Sequence, residues 1–509
     1  MKKTGLRLFE ILLVIMGPFA LSSIDTMSND PGVGWHLKTG EWIFKNQAVP
    51  FFDPFLAASA PRPWVCDQWL SDLIMYLVHN RYSWAGLTAI PITLFLITFF
   101  CILYPFLLKR TSSALAAIIV SSMAFTIALV HLIVRPVVFS FLFFSLVLFK
   151  LLNIWISGKE RGQFTLSWKD TVFFCIIFLL WANLHPSFVL GLALLVMFFC
   201  SLIGDTLLSL SEVSRQTFIK FGTLILIVLA VTGLNPNGYG LHLSILELGS
   251  SEFFMQLNIE WLQNDFSSIR AILSQLLLFF IFLGFLINPK RFKNWGCFEV
   301  GITLLGLHFL FQAIRLLPYL SLLLAYPACT GLCVIFEKVE ELVGRYFKRV
   351  LVILKDFRSK EVCGRSFGVP VSILMGVFFT ISPETFVDAK KLELVECPKD
   401  GILAALNETP LGTTKKVLAS PNFGGCITFF GEERLKAIID DRNTMLGEEI
   451  YRRIMAALKD SQEMEKMIHQ EEADFLLIEK KSLAYKGIKK RYQLLHKDKK
   501  TALFKVSPK

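Results

Sequence analysis

The chain has 509 residues, of which 54% are hydrophobic, and its formal net charge at neutral pH is +11. An apolar fraction of this size, which includes 48 Phe, excludes an ordinary water-soluble protein. The positive charge does not require a nucleic acid partner, because Lys and Arg also collect beside anionic lipid. The composition therefore predicts an integral membrane protein.

Apolar stretches recur along most of the chain. A membrane-crossing helix needs roughly 20 mostly apolar residues, and eleven stretches approach that length. The pairs around Arg135-Pro136 and His185-Pro186 could instead form tight re-entrant turns. No small-residue cleavage site follows the first stretch, so it is predicted to be an anchor and not a removed signal peptide. The stretches are 7–24, 84–108, 112–134, 136–157, 171–184, 187–208, 218–234, 268–288, 297–314, 317–336 and 367–382.

Lys and Arg are distributed unevenly between alternate loops. They occur in the loops on the side of the N-terminus, whereas the long loop 235–267 contains none. This bias predicts a cytoplasmic N-terminus. Eleven crossings then place the first loop, 24–83, and the tail, 383–509, outside. The basic segment 337–366 alternates charged and apolar residues and is predicted to be a cytoplasmic amphipathic helix at the membrane surface.

The chain is predicted to divide into a membrane domain, 1–382, and a small soluble α/β domain, 383–509. Glu448–Gln470 has the pattern of a charged amphipathic helix. Cys397 and Cys426 could form a disulfide outside the membrane, although sequence alone does not establish the pairing. The predicted strands are Lys416–Ser420, Leu435–Ile439, Phe475–Lys480 and Ala502–Val506.

The first outer loop is polar and rich in aromatic residues. Its apolar residues from Trp35 to Phe44 have helical spacing, prolines interrupt the pattern, and Cys66–Asn80 resumes it. Tryptophan is enriched at the membrane–water interface. The loop is therefore predicted to lie on the bilayer as two helices joined by a Pro-rich turn.

Two acids and a histidine of this loop are candidates for chemistry. The carboxylates of Asp30 and Asp53 could take a proton from an acceptor hydroxyl or hold a divalent metal against a phosphate. Asp30 before Pro31 could instead cap a helix, and Asp53 could form a turn. His36 could bind a phosphate or act as a base, or it could be structural.

Further polar residues lie at the ends of apolar stretches. Arg135 and Arg315 could bind the phosphate of a lipid-linked donor, because a guanidinium makes bidentate contacts with phosphate. The alternative for both is interfacial snorkelling or pairing with an acid. His185 could bind substrate or cap a broken helix. Glu260 could join Asp30 at one face of the bilayer, or it could be a solvated surface acid.

The tail offers weaker signals. Asn422-Phe423-Gly424-Gly425 is predicted to be a turn, and Asp440-Asp441-Arg442 follows a predicted strand. Both could contact an acceptor, but loop stabilisation is the favoured interpretation. The sequence contains no P-loop, HExxH, GxSxG or zinc-ligand spacing.

Taken in order, these motifs resemble a widespread family of bacterial multispanning membrane proteins. Its members commonly read D-P-D-x-W-W-H-L, then V-P-x-x-D-P-F-S, then E-W-L, and the resemblance covers nearly the whole chain. The matching positions are Asp30-Pro31, Trp35-His36-Leu37, Val49-Pro50, Asp53-Pro54-Phe55, Trp69-Leu70, Arg135-Pro136, Trp181 to His185, Asn235 to Gly238, Glu260-Trp261, Arg315, Asn422-x-Gly424-Gly425 and Asp440-x-Arg442.

That family is similar to the C-type glycosyltransferase (GT-C) superfold of oligosaccharyltransferases and protein O-mannosyltransferases. The resemblance implies an α-helical polytopic protein of the bacterial inner membrane that takes a sugar from a polyprenyl-phosphate donor. It implies that Asp30 is a catalytic or metal-binding acid, with Mg or Mn as the cofactor. Arg315 or Arg135 would contact the donor phosphate. Fold alone does not fix function.

The chain departs from this pattern at two acids. Gly32 replaces the second acid of D-P-D, and Gln68 replaces the glutamate of E-W-L. If the second acid serves a metal, this protein would be metal-independent or inactive, unless Asp67 compensates.

Two classes of function follow. The first is a glycosyltransferase that acts on an envelope acceptor, which could be a glycan, lipid or protein. The second is a carrier, flippase or scaffold for lipid-linked glycans. A transporter would favour polar residues at mid-span, whereas the polar candidates gather at outer ends of spans, which favours the enzyme.

Overall fold

A computed structural model describes residues 30, 32–57, 60–257, 259–346 and 397–506. The chain forms two compact units, neither of which is continuous in sequence. One unit comprises Met1–Ser23, Ala89–Asn235 and Gln256–Phe386, and the other comprises Ile24–Thr88, Pro236–Met255 and Val387–Lys509. We call these the helical unit and the sheet unit. The domain boundary predicted at residue 382 lies outside the described residues.

The described residues contain many helices and five strands, joined by short 3-10 and π segments. The helices are α1 (Val33–Asn46), α2 (Trp69–Leu96), α3 (Tyr104–Thr111), α4 (Ala114–Ala128), α5 (Val137–Arg161), α6 (Trp168–Leu184), α7 (Phe188–Leu207), α8 (Arg215–Thr232), α9 (Gly240–Ser250), α10 (Glu252–Leu257), α11 (Ile269–Ile287), α12 (Pro289–Phe292), α13 (Cys297–Gln312), α14 (Leu317–Tyr346), α15 (Lys399–Asn407), α16 (Pro421–Phe430), α17 (Asn443–Leu446), α18 (Glu448–Lys459), α19 (Ser461–Gln470) and α20 (Tyr485–Ile488). The strands are β1 (Lys415–Ala419), β2 (Leu435–Ala437), β3 (Phe475–Glu479), β4 (Gln493–Lys497) and β5 (Thr501–Lys505).

The chain is a multipass membrane protein. Seven of the described helical segments are long and apolar enough to cross a membrane. The predicted stretches 171–184 and 297–314 correspond to the shorter helices α6, of 17 residues, and α13, of 16 residues. The stretches 7–24 and 367–382 lie outside the described residues, so the count of eleven stays a prediction. The seven segments are Trp69–Thr111, Ala114–His131, Val137–Arg161, Phe188–Leu207, Arg215–Thr232, Ile269–Ile287 and Ile314–Leu342.

Glycines bring two helices of the helical unit into backbone contact. A Cβ at Gly331 of α14 would lie 2.1 Å from the carbonyl oxygen of Phe280 in α11, and one at Gly284 would lie 2.5 Å from the Gly331 Cα. Small residues permit such close approach between membrane helices. The first part of the basic segment 337–366 continues α14 as far as Tyr346, and the rest lies outside the described residues.

The sheet unit is built on one five-stranded sheet with the order β2-β1-β3-β5-β4. The β1 strand pairs in parallel with β2 and β3, whereas β5 is antiparallel to β3 and β4. Alternate strand residues point to opposite faces, and each face has its own core. Leu418 and Leu476 pack with α18 and α19 on one face, and Val417 and Leu477 pack with α15 and α16 on the other.

The four predicted strands are all present, and β4 is an additional edge strand. The predicted helix Glu448–Gln470 is two helices, because Asp460 leaves the helical conformation and caps α19 through a hydrogen bond from the Gln462 N–H. The turn predicted at Asn422 to Gly425 is wrong: these residues begin α16. A Cβ at Gly424 would lie 2.4 Å from the Ile439 carbonyl oxygen, so the glycines serve close packing and not a turn.

The first outer loop contains the two predicted helices, α1 and the start of α2, but α1 is packed within the protein. A Cβ at Gly34 would lie 2.3 Å from the Gly425 carbonyl oxygen, and one at Gly40 would lie 2.1 Å from that of Asp72. Trp35 is 8% exposed. The small residues of this face fit α1 against α16 and α2, and the location of α1 at the bilayer surface stays a prediction.

A disulfide joins Cys397 and Cys426, with a Cα–Cα distance of 5.7 Å. It links α16 to the residues before α15, which pack on the same face of the sheet. The pairing that the sequence left open is thus made in the structure.

Candidate active site

Asp30 lies immediately before α1 and is 8% exposed. Its Oδ1 accepts a hydrogen bond from the Gly32 N–H at 2.9 Å, and its carbonyl oxygen accepts one from the Val33 N–H at 3.2 Å. The N-cap position itself belongs to Gly32. The carboxylate therefore stabilises the turn that leads into α1.

Gly32 separates Asp30 from an acid of the tail. A Cβ at Gly32 would lie 2.8 Å from Asp441 Oδ2 and 3.0 Å from Asp30 Oδ1. The other oxygen of Asp441 accepts a hydrogen bond from Trp35 Nε1 at 2.9 Å. The acid that the resemblance leads one to expect at position 32 is replaced by a glycine with the Asp441 carboxylate beside it.

His36 is paired with an acid inside the sheet unit. Its Nδ1 lies 2.6 Å from Asp72 Oδ1, and the two side chains are 5% and 1% exposed. Its ring centroid lies 3.6 Å from that of Trp35. These contacts are typical of a structural histidine, which was one of the alternatives for His36.

Asp53 belongs to a buried charged group that we call the Arg442 cluster, formed by Asp53, Asp440 and Arg442. Asp53 accepts hydrogen bonds from the Phe55 and Leu56 N–H groups, as a turn-forming aspartate does. Arg442 Nη2 lies 2.8 Å from Asp53 Oδ1 and 2.6 Å from Asp440 Oδ2. The tail arginine thereby fixes the first outer loop.

Aromatic rings surround the guanidinium of Arg442. Its Cζ lies 4.5 Å from the centroid of Trp64 and 5.6 Å from those of Trp35 and Phe55. Burial lowers the pKa of Arg442, but the Asp440 and Asp53 carboxylates raise it more, so the group stays charged. Burial raises the pKa of Asp440, against the lowering effect of Arg442.

Gln68 lies at the position of the glutamate in the E-W-L motif of the resembled family, and Asp67 precedes it. Gln68 Nε2 donates to Asp67 Oδ1 at 3.3 Å. Burial raises the pKa of Asp67 to about 6, so this carboxyl group is partly protonated at mildly acidic pH. The compensation by Asp67 stays a prediction.

A second charged group, the Glu260 cluster, lies in the helical unit and consists of Arg135, Glu260 and Arg315. Arg135 Nη1 lies 2.8 Å from Glu260 Oε1, and Arg315 Nη1 lies 3.0 Å from Glu260 Oε2. Each arginine lies two residues before a helix: Arg135 before α5, which begins at Val137, and Arg315 before α14, which begins at Leu317. The fold thus brings together three predicted site residues that lie far apart in sequence.

The Glu260 cluster is formed by two guanidinium groups and one carboxylate. Burial raises the pKa of Glu260, but Arg135 and Arg315 lower it more, and the net result lies below the ordinary value. Glu260 therefore stays ionised and neutralises one of the two guanidinium groups. The Cζ of Arg315 lies 5.3 Å from the ring centroid of Trp261.

His185 lies in the same unit and follows α6. Its Nδ1 lies 2.8 Å from Ser187 Oγ, which accepts a hydrogen bond from Tyr319 Oη at 3.0 Å. The His185 N–H donates to the Trp181 carbonyl oxygen at the end of α6. His185 therefore acts as a polar cap at the end of α6, which was one of its two predicted roles. Through Ser187 and Tyr319 it is also connected to α14.

A divalent cation would need several ligands close to Asp30. Magnesium and manganese sites combine several oxygen ligands, often more than one carboxylate. No group of three or more His, Cys, Asp or Glu side chains in the described ranges could hold a metal ion. Within those ranges Asp30 therefore belongs to no such ligand group, and no chemical step below depends on a metal.

Sequence reasoning missed Asp441 and Arg442 as neighbours of the first outer loop. The acid–acid–arginine run after a strand was visible, but nothing local connects it to Asp30 or Asp53. The signal in the sequence was that both segments occur in the ordered set of motifs that carries the resemblance.

No family model matches the sequence, and no curated protein matches it. Solved structures do. The archaeal oligosaccharyltransferase AglB from Archaeoglobus fulgidus, in complex with an inhibitory peptide and a dolichol-phosphate, covers 92% of this chain over 69% of its own, with 12% identity and a TM-score of 0.58. The apo form of the Archaeoglobus fulgidus enzyme gives the same coverage, with 13% identity and a TM-score of 0.57. The chain has a GT-C-like fold.

This GT-C-like fold extends over nearly the whole chain, as the resemblance in the sequence implied. ArnT from Cupriavidus metallidurans in the apo state is also similar, covering 98% of this chain and 99% of its own, with 10% identity and a TM-score of 0.49. At these identities the comparisons establish fold, and activity has to be argued from the residues.

Proposed function

We propose that this protein is a membrane glycosyltransferase that moves a sugar from a polyprenyl-phosphate donor to an envelope acceptor. The reaction would take place at the outer face of the bacterial inner membrane. The observation that carries the proposal is the Glu260 cluster, in which two guanidinium groups share one carboxylate at the ends of membrane helices. The GT-C-like fold supports it.

Arg135 and Arg315 would bind the phosphate of the donor. A guanidinium has five N–H donors in a planar fork that matches phosphate geometry. Each arginine contacts Glu260 through Nη1, so the ion pairs hold the two forks in place. The excess positive charge would also stabilise the phosphate as the leaving group.

Asp30 would act on the acceptor. Its carboxylate would take the proton of an acceptor hydroxyl while the hydroxyl oxygen bonds to the anomeric carbon of the sugar. The bond from that carbon to the phosphate oxygen breaks, and the lipid phosphate leaves with the electron pair. This assignment needs one carboxylate and no metal.

The other predicted residues would have supporting roles. Asp53 holds the loop through Arg442, and His36 is held by Asp72, so we propose that both position the segment around Asp30. Glu260 would orient the two arginines instead of exchanging a proton, because its pKa is lowered. His185 would orient the start of the neighbouring span through Ser187 and Tyr319.

The test is sugar transfer in vesicles reconstituted with the full chain, supplied with labelled polyprenyl-phosphate hexoses and pentoses and a membrane extract as acceptor source. Asp30→Asn should abolish transfer, because the amide cannot take the proton. Asp400→Asn, which changes an exposed acid at the start of α15, should leave transfer unchanged.

Unchanged melting of both variants would show that folding is intact. Full transfer by Asp30→Asn would overturn the catalytic role of this acid. Movement of the labelled lipid across the bilayer by the wild-type protein, without transfer, would support the carrier alternative and overturn the enzyme.

A further inference from the structure

The helical unit contains a cavity of about 660 Å³ that the proposed reaction does not use. The α5 helix has 25 residues and is therefore about 37 Å long. Arg135 precedes its first residue, whereas Lys159, near its last residue, lines the cavity. The cavity thus lies at the end of α5 remote from the Glu260 cluster, on the side that charge bias assigns to the cytoplasm.

Positive charge dominates the cavity lining. Five basic side chains line it, against three acidic ones. Among the described residues no carboxylate lies within ion-pair distance of Lys290, Arg291 or Lys293, which lie in and after α12. The basic residues are Arg110, Lys159, Lys290, Arg291 and Lys293, and the acidic residues are Glu160, Glu212 and Glu299.

Two buried acids at the cavity are already satisfied by the protein. Asp205, which is fully buried, pairs with Lys159 at 2.9 Å and accepts a hydrogen bond from the Cys297 N–H at 2.7 Å. Glu299 accepts hydrogen bonds from the Gly296 N–H and from Trp155 Nε1. These contacts fix the connection between α12 and α13, and the cations of that connection keep their charge for another partner.

Apolar side chains continue outward from the cavity. Leu210 lines it, and Leu207 and Leu208 are 78% and 65% exposed at the end of α7. At the end of α11, Phe285 and Leu286 are 49% and 58% exposed. In a membrane protein such faces contact acyl chains. A cationic cavity therefore opens beside lipid-facing surfaces at the depth where the spans end.

We propose that this cavity binds the phosphodiester headgroup of an anionic phospholipid, whose acyl chains lie along the exposed ends of α7 and α11. A lipid fits better than a free phosphate because the apolar surfaces adjoin the cations. Basic pockets between membrane helices on the cytoplasmic side commonly hold such headgroups. The site is separate from the proposed reaction and does not depend on it.

The experiment measures the melting temperature of the full chain in detergent by tryptophan fluorescence. Phosphatidylglycerol, phosphatidylcholine with the same acyl chains, or inorganic phosphate is added. Phosphatidylglycerol should raise the melting temperature by about 3–5 °C more than phosphatidylcholine does, because ligand binding to the folded state stabilises it. The combined change Lys290→Gln, Arg291→Gln and Lys293→Gln should remove this difference.

The matched control is Lys169→Gln, Arg215→Gln and Lys220→Gln, which removes the same charge from exposed positions outside the cavity lining and should keep the difference. Retention of the difference by the cavity variant, or its equal loss in the control, would overturn the proposal. An equal shift with inorganic phosphate would overturn the lipid assignment. If the triple cavity variant melts early without lipid, the single change Lys293→Glu is used in its place. Loss of the difference between the two lipids would then support the proposal, and its retention would overturn it.

Discussion

The Arg442 cluster and the Glu260 cluster both combine carboxylates with guanidinium groups, but in opposite proportions. In the first, two carboxylates share one guanidinium, and the side chains are 3% exposed or less. In the second, two guanidinium groups share one carboxylate, and the side chains are 24–27% exposed. A closed cluster with excess negative charge suits internal attachment. A partly open cluster with excess positive charge suits an anionic ligand.

Burial explains why the closed cluster depends on its single cation. Charged groups removed from water must be paired, since an unpaired buried charge costs several kcal/mol. Arg442 provides this pairing and is packed against three aromatic rings. The Tyr451 hydroxyl adds a hydrogen bond of 2.5 Å to the Asp440 carbonyl oxygen. The open cluster keeps contact with solvent, so the loss of one partner there should cost less.

The largest effect is expected from Arg442→Met. This change leaves Asp53 and Asp440 buried without a counter-ion and should destabilise the sheet unit by about 3–5 kcal/mol. Amide hydrogen exchange in β1 and β3 measures the free energy of opening. Arg452→Met is the control, because Arg452 is 62% exposed, with an ion pair to Glu448 and its Cζ 4.4 Å from the Phe253 ring centroid. It should cost about 1 kcal/mol or less. Equal effects of the two changes would argue against the dependence of the Arg442 cluster on its buried cation.

A smaller effect is expected from Gly32→Asp, which adds a carboxylate beside Asp30 and Asp441. Because the new Cβ would lie 2.8 Å from Asp441 Oδ2, we expect a cost of about 1–3 kcal/mol from crowding and repulsion. Gly249→Asp is the control, since a Cβ there meets no atom within 4 Å.

The double variant Gly32→Asp with Asp441→Ala restores the space and the charge. It should recover much of the loss, with a coupling of about 1 kcal/mol or more in hydrogen exchange. Strictly additive costs would mean that Asp441 does not stand in for the missing acid in this way.

The smallest effect on stability is expected from Glu260→Gln, about 1 kcal/mol or less, because the cluster is partly solvated. If the arginines bind the donor phosphate, this change should raise the KM for the polyprenyl-phosphate donor by less than Arg315→Gln does, because the amide oxygen can still accept a hydrogen bond from an arginine. Arg315→Gln should raise that KM roughly tenfold, which corresponds to one charge-assisted hydrogen bond. The melting temperature measures the effect on stability, and transfer kinetics measure the effect on the KM. A rise in KM for Glu260→Gln as large as that for Arg315→Gln would argue against phosphate binding here.

Local pattern predicted much of the fold. Long apolar stretches correspond to helices because a span must satisfy its own backbone. Runs such as Lys416–Ser420 were predicted to be strands from β-branched and apolar residues, and β1 is there. The edge strand β4 escaped prediction because its residues are largely exposed and lack an apolar alternation. The break at Asp460 escaped because the charged pattern continues across it.

The sites were less predictable than the elements. Asp30, Arg135, Glu260 and Arg315 were recognisable one by one, since polar groups at the ends of spans are unusual. Their partners were not, because the ion pairs of Glu260 and of Arg442 join residues that no periodicity relates. The packing of α1 was not predicted for the same reason: its small residues Gly34 and Gly40 fit backbone surfaces that come from other parts of the chain.

The hydrogen bond between Trp35 and Asp441 joins residues 406 positions apart. A ribosome adds about 5–20 residues per second, so roughly 20–80 s pass between the synthesis of the two partners. The membrane helices are made within that interval. During biogenesis the start of α1 therefore lacks its contact with Asp441 until the tail has been translated.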